Sequence, residues 1–230
     1  MRQLYSAFAA FLIAVAAIVP ATAVDVQPVI NVIRLPQDAR GISVAISNPR
    51  RVPLPVTFDI VEREIELDGS EKTKAADEEF VIFPPQAVLQ PGETQAVRIQ
   101  FVGDTPTMSR SFTMFTTEVP VDLESSGLSG VQRILRIGAS IHVAPQGTAP
   151  KPVIASAVSE GSGTRIVIRN EGNRFVYLDN ISLRFDETVV EGYELANIGG
   201  RTLIPPGASR SILVPNVAGE PTVRLLPPIL

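Results

Sequence analysis

The side chains present in this chain limit the chemistry open to it. It has no cysteine and a single histidine, His142. Thiol catalysis, zinc–thiolate sites and disulfides are therefore ruled out. A multi-histidine metal centre cannot be assembled, and a Ser-His-Asp relay would have one base to draw on. Acidic residues remain. Asp77, Glu78 and Glu79 stand together, but consecutive strand positions point to opposite faces, which argues against a shared cation. Carboxylate pairs of the glycosidase kind must be placed by the fold, so an exported hydrolase stays open as one reading. Arginines are scattered along the chain, and the only lysines are Lys72, Lys74 and Lys151. With no basic cluster and an acidic balance, the sequence offers no footprint for nucleic acid. It gives no reason to expect a cofactor, a metal or a small-molecule substrate.

The elements that must position these side chains are strands, because the apolar residues recur at period two. Ile42, Val44 and Ile46 alternate with Ser43, Ala45 and Ser47. Leu54, Val56, Phe58 and Ile60 follow the turn at Asn48-Pro49. Beyond Ile60 the apolar register shifts to Ile65 and Leu67, which predicts a bulge or a switch of sheet. Val97, Ile99 and Phe101 form another strand, and Phe112 and Met114 begin one that ends near Val119-Pro120. From Val131 to Val143 the odd positions read Val, Arg, Leu, Ile, Ala, Ile, Val. No segment shows a sustained 3.6-residue pattern between caps. Glu62 to Glu79 is densely charged around a turn and reads as a solvated hairpin.

Ala144 to Pro150 has Pro and Gly but no periodicity, the composition of a linker. Strands resume at Val153 to Val158, Arg165 to Arg169, Arg174 to Leu178, Ile181 to Phe185 and Ser211 to Val214. The halves echo each other. Ile46-Ser47-Asn48 is matched by Ile168-Arg169-Asn170, and Leu89-Gln90-Pro91-Gly92 by Leu203-Ile204-Pro205-Pro206-Gly207. Short strands punctuated by 20 prolines and 16 glycines, repeated twice, predict an all-β chain of two tandem Ig-like β-sandwich domains. The expected division is a signal peptide over 1–23, an N-terminal domain over 24–145, a linker over 146–150 and a C-terminal domain over 151–230.

The leader rests on Arg2, the apolar run Ala7 to Val19 and the small-residue site Ala21-Thr22-Ala23, which predict cleavage near Ala23/Val24. That run is too short to span a bilayer, which needs about 20 apolar residues. Taking Arg2 from the 20 basic residues leaves 19 against 24 acidic ones, a net charge of −5 for the mature chain. Without disulfides, an exported chain of this kind must draw its stability from burial.

The segment Val81-Ile82-Phe83-Pro84-Pro85, then Leu89-Gln90-Pro91-Gly92, then Gln95-Ala96-Val97-Arg98-Ile99 resembles the periplasmic pilus-assembly chaperones. So does Ser111 to Pro120, a strand ending in Glu-Val-Pro, and so does Ser43 to Asn48. The resemblance covers most of residues 25–145 and the C-terminal half more weakly. It implies an L-shaped pair of Ig-like domains in the periplasm and no enzymatic activity. The partners it implies are pilus subunits lacking one strand, and an outer-membrane usher that receives them. It also implies that the long strand before the linker is lent to the subunit, with Val131, Arg133, Leu135 and Ile137 on the donated face. Arg133 would meet a shallow or polar pocket, whereas Ala139, Ile141 and Val143 would face their own core.

Well-known members clamp the subunit's terminal carboxylate with an arginine on the first strand and a lysine near the end of the long strand. In this sequence those places align with Val32 and Ser140, so the chain resembles a divergent branch nearer the archaic chaperones of spore-coat-like pilins. Arg34, Arg98 and Arg136 are the candidates left for a carboxylate anchor. His142 has the wrong parity for the donated face and is expected at the surface or a domain interface. Two other readings stay open: a structural subunit or adhesin of a surface fibre, and the exported hydrolase.

Overall fold

The computed structural model describes residues 23–119, 134–200 and 203–227. Of the leader expected over 1–23, residues 1–22 lie outside the described residues, as do Val131 and Arg133. The N-terminal half holds β1 (Asp25–Gln27), β2 (Ile30–Leu35), β3 (Ile42–Ser47), β4 (Leu54–Ile65), β5 (Glu71–Ala75), β6 (Phe80–Phe83), β7 (Gln86–Leu89), β8 (Thr94–Phe101), β9 (Arg110–Glu118) and β10 (Arg136–Pro145). One sheet runs β1-β3-β8-β6. The other runs β2-β10-β9-β4-β5, with β7 also beside β4. All neighbours are antiparallel except β2 and β10.

Alternation explains why these residues form strands and which face they bury. Val44 and Ile46 of β3, Val97 and Ile99 of β8, and Ile141 and Val143 of β10 are all fully buried in one core between the sheets. Each such side chain contributes about 1.5–3 kcal/mol when withdrawn from water. Phe80, Phe101 and Phe112 meet edge to face in that core, with centroids 4.9 and 5.2 Å apart for the two pairs that Phe80 makes.

The C-terminal half holds β11 (Pro152–Glu160), β12 (Gly163–Asn170), β13 (Val176–Tyr177), β14 (Ile181–Phe185), β15 (Thr188–Val190), the helix α1 (Gly192–Gly199), β16 (Leu203–Ile204), β17 (Ser209–Pro215) and β18 (Thr222–Leu225). Its sheets are β11-β12-β17, β13-β16 and β15-β14-β18, around a second core that includes Ile166, Ile168, Leu178, Ile181 and Ile212. The helix was not expected. Its N-cap is Glu191 in a reciprocal pair with Glu194, a capping box without the Ser or Thr that marks one in a sequence. Eight residues are also too few to display a helical period.

The sequence echo corresponds to a duplicated turn. Asn48 donates its amide to the carbonyls of Val52 and Leu89, and its own side-chain oxygen accepts from the Arg50 N–H. Asn170 donates to the carbonyls of Arg174 and Ile204 and accepts from the Gly172 N–H. Gly92 and Gly207, both at positive φ, donate their N–H groups to Asn48 and Asn170 respectively. Both asparagines are fully buried, and each side chain ties a turn to the strand across it.

Two sequence expectations need correction. β4 has neither a bulge nor a change of sheet, and its pairing with β9 and β5 is continuous. The apolar parity changes beyond Ile60 because Ile65 faces the other domain, packing with Ile30 and Val32 against Phe175, Tyr177 and Leu203. Asp77 to Glu79 form a single 3-10 turn and not a strand. Asp77 accepts the Ile60 N–H, and Glu79 pairs with Arg110. The charged hairpin β4–β5 exists as expected, but its tip is not wholly solvated: the carbonyl of Leu67 accepts the Ser211 N–H of β17. Gly69 at that tip has φ +83, a conformation that L side chains rarely adopt, and it lies against the Arg210 guanidinium.

Candidate functional site

β10 contains two differently satisfied halves. From Ser140 to Pro145 it pairs with β2 on one edge, and from Arg136 to Val143 with β9 on the other. Residues 136–139 therefore have one partner strand among the described residues. The direction of the free groups follows from two bonds. Glu118 N–H donates to the Leu135 carbonyl, whereas Ser140 N–H donates to Val29 O. Odd residues thus use their backbone on β9, and even residues aim theirs the other way. For Ser140 that side is occupied by Val29. For Arg136 and Gly138 it is an open edge.

The side chains follow the same alternation. Ala139, Ile141 and Val143 are buried in the domain's own core, as expected from their parity. Ile137 is partly buried against that core, and Leu135 is half-buried one step further out. Ile134 is 58% exposed on the other parity. The described part of the expected donor face, Leu135 and Ile137, is thus an extension of the core row beyond the point where β2 begins.

The even face of β10 carries His142 into the boundary between the domains. Its Nδ1 lies 2.9 Å from the Ser111 hydroxyl and its Nε2 2.7 Å from the Tyr177 hydroxyl, and its ring stacks on Phe175 at 3.8 Å. Burial, reinforced by the Arg63 and Arg174 charges, lowers the His142 pKa to about 3, so the ring is neutral. Burial likewise raises the Tyr177 hydroxyl above its usual range. Backbone bonds join the domains at the same place: Ser109 N–H donates to Asn173 O, and Phe175 N–H to Ser109 Oγ.

Of the three arginines expected as anchors, Arg34 lines a cavity of about 710 Å³ between the domains. Arg98 lies on the outer face of β8 and gives its guanidinium to the Arg40 carbonyl. Arg136 lies over the Phe115 ring and pairs with Asp59 at 2.5 Å. The sequence reading missed Arg63. From β4 it reaches across β9 to donate to Ser140 Oγ at 3.0 Å, while a second nitrogen binds Glu71. A cation therefore does stand at Ser140, brought by another strand. Several carboxylates are held in ion pairs, with Glu62 and Glu79 forking around Arg110, and Glu118 on Arg50.

A family model described as the pili and flagellar-assembly chaperone, PapD N-terminal domain, matches residues 26–149, more than half of the chain. This chain belongs to that family of assembly chaperones. Membership decides against the fibre-subunit alternative and makes this an exported protein of pilus biogenesis. A search of curated protein sequences found no significant match. Solved structures extend the likeness to the C-terminal half. The E. coli chaperone DraB is 18% identical, with a TM-score of 0.58 over 86% of this chain and 88% of that one. A chain of the SafA pilin–SafB chaperone complex of Salmonella enterica is 16% identical, with a TM-score of 0.58 over 90% and 98%. A chain of the CsuC–CsuE chaperone–tip subunit complex from the archaic Csu pili of Acinetobacter baumannii is 14% identical, with a TM-score of 0.59 over 86% and 90%. At such identities the likeness is one of fold, two β-sandwich domains, and it does not single out the archaic branch.

Proposed function

We propose that this chaperone works in the periplasm, after loss of a leader cleaved near Ala23, by lending the open edge of β10 to a pilus subunit whose own sandwich lacks a strand. It then passes that subunit to an outer-membrane usher. The observation that carries the reading is the one-sided pairing of residues 136–139. Arg136 and Gly138 would supply ladder hydrogen bonds, and Leu135 and Ile137 would fill pockets in the client's groove. Val131 and Arg133 would extend the same face. A subunit without its last strand exposes both an apolar groove and unpaired backbone, and one donated strand covers both liabilities. The client's terminal carboxylate would be held at the domain boundary, where Arg34 stands.

Leu135 offers the cleanest test. It precedes the regular strand and belongs to no buried cluster, so Leu135→Glu should leave the protein folded. The substitution forces a carboxylate into an apolar groove, and co-purification with a pilus subunit that the unaltered chaperone captures should disappear. Normal co-purification of a folded Leu135→Glu protein would sink the strand-donation reading.

A further inference from the structure

The outer face of the singly paired half of β10 is shaped around a missing side chain. Asp59 of β4, Phe115 of β9 and Gly138 of β10 stand opposite one another in a single row across three strands. Gly138 aims its backbone at the open edge, so it meets Phe115 as a pair without mutual hydrogen bonds, the kind that brings side chains closest. The Phe115 ring fills that space. A Cβ at Gly138 would fall 3.2 Å from Phe115 Cε1, 3.4 Å from Phe115 Cδ1 and 2.7 Å from Thr113 Cγ2. The ring therefore covers the glycine, as aromatic side chains do elsewhere in sheets. One of its faces is taken by Arg136, whose Cζ lies 3.6 Å from the ring centroid and whose guanidinium pairs with Asp59. The ring atoms nearest Gly138 are one edge of the ring, and Phe115 stays partly exposed.

The neighbouring row shows what belongs in the fourth place. Val61, Thr113 and Ser140 are aligned in the same way, and there β2 adds Ile30 beside Ser140. One row further on, Val32 stands beside His142. Because β2 begins at Ile30, the row through Gly138 lacks its fourth member. A strand laid along the open edge of β10 takes over the line of β2 and puts one of its residues there. Neighbouring strands are about 4.8 Å apart, so that residue stands about 10 Å from the backbone of Phe115. A short side chain ends above bare glycine, whereas a large one crosses Gly138 and meets the ring. The edge of an aromatic ring is electropositive and Arg136 adds a cation, so the complementary surface is the negative face of a second ring. A carboxylate gains less, since Asp59 already neutralises Arg136.

We propose that Phe115 and Gly138 form a specificity position for the client: the subunit residue beside Gly138 is aromatic, and its ring packs across Gly138 onto the edge of Phe115. The assignment rests on the strand-donation reading and deepens it. Leu135 and Ile137 enter the groove of the client from one face of β10, whereas this contact lies on the opposite face and reads a side chain of the client's own strand. Gly138 is needed because any larger residue displaces Phe115 and blocks the crossing. Arg136 holds the ring in place from its other side.

Photo-cross-linking of the full chain tests the assignment. With p-benzoylphenylalanine in place of Phe115, irradiation of the complex with a pilus subunit that the unaltered chaperone captures should join position 115 to the subunit strand beside β10, next to an aromatic residue. Phe115→Leu should weaken capture about three- to tenfold, the worth of one aromatic pair, with a thermal midpoint close to that of the wild type. Phe115→Tyr should restore full affinity. Replacing the aromatic residue of the subunit with Leu should cost as much, and the two Leu changes together should cost no more than either alone. A cross-link to a stretch of the subunit without an aromatic residue, no cross-link to the subunit, unaltered capture by Phe115→Leu, failed rescue by Phe115→Tyr, or additive losses would each overturn the assignment. The two proposals fail separately: if Phe115→Leu captures the subunit at full affinity while Leu135→Glu does not, strand donation stands and this contact falls.

Discussion

The two halves of β10 show how one strand serves two purposes. From Ser140 to Pro145 it is hydrogen-bonded on both edges, by β2 and β9, and its side chains are buried on both faces: Ile141 and Val143 in the N-terminal core, His142 against the second domain. From Arg136 to Ala139 it has β9 alone, and the exposure of its side chains rises toward residue 134. The chemistry of the sequence barely changes between the halves. What changes is where β2 stops: its ladder ends at Ile30 opposite Ser140, and Val29 makes the last bond. An edge strand is normally an aggregation hazard. Here the doubly paired half holds the singly paired half extended, so a partner need not supply the entropy of ordering it.

The sharpest way to break this comparison is to place the same charge in both halves. Ile141→Glu puts a carboxylate into a sealed core and should cost more than about 4 kcal/mol, enough to prevent folding. Leu135→Glu should move the urea midpoint little. If the two variants lose similar stability, the halves are not distinct.

A smaller effect is expected from acid. His142 is neutral in the fold and accepts a proton far more readily once unfolded, with the pKa lowered from 6.5 to about 3. Its contribution is fully present above pH 6.5 and is lost as the pH falls toward 3, at about 1.4 kcal/mol per unit. Protonation would place a third cation beside Arg63 and Arg174. Urea midpoints measured between pH 7 and 4 should fall more steeply for the wild type than for His142→Phe, and parallel curves would remove His142 from the domain boundary's acid response.

The smallest effect concerns single hydrogen bonds. Arg136→Pro removes an N–H that points out of the open edge, a position where proline is tolerated. Stability should match that of Arg136→Ala within about 0.5 kcal/mol, while client affinity should fall by about tenfold more than in the alanine variant. No difference between the two would mean that the client does not pair at this position.

Period-two alternation made most of the fold legible before any coordinates, because a sheet that buries one face imposes that pattern on each strand. It located β3, β8 and β14 closely and predicted that Ala139, Ile141 and Val143 face inward. It failed at Ile65, which is buried against the other domain and so breaks the parity of its own core; His142 lies at a domain interface, one of the two places expected for it. The short helix went unseen because its cap is built from glutamates. For the site, Arg34, Leu135 and Ile137 entered as candidates through the family resemblance, and their roles are part of the proposal. Arg63 did not, since nothing local distinguishes it from other strand-face charges.

The sequence by itself determined an all-β chain with a repeated turn, no thiol or multi-histidine chemistry, and an alternating strand before a Pro-rich hinge. These are properties of residue types and their spacing, and short-range forces suffice to fix them. Only the tertiary structure decided which edge of that strand stays open and which side chains stand beside it. Both depend on where distant segments end: Val29 beside Ser140, Arg63 reaching across β9, and Phe115 opposite Gly138. Such pairings arise when hydrophobic burial closes long loops, and they cannot be read from neighbours in sequence.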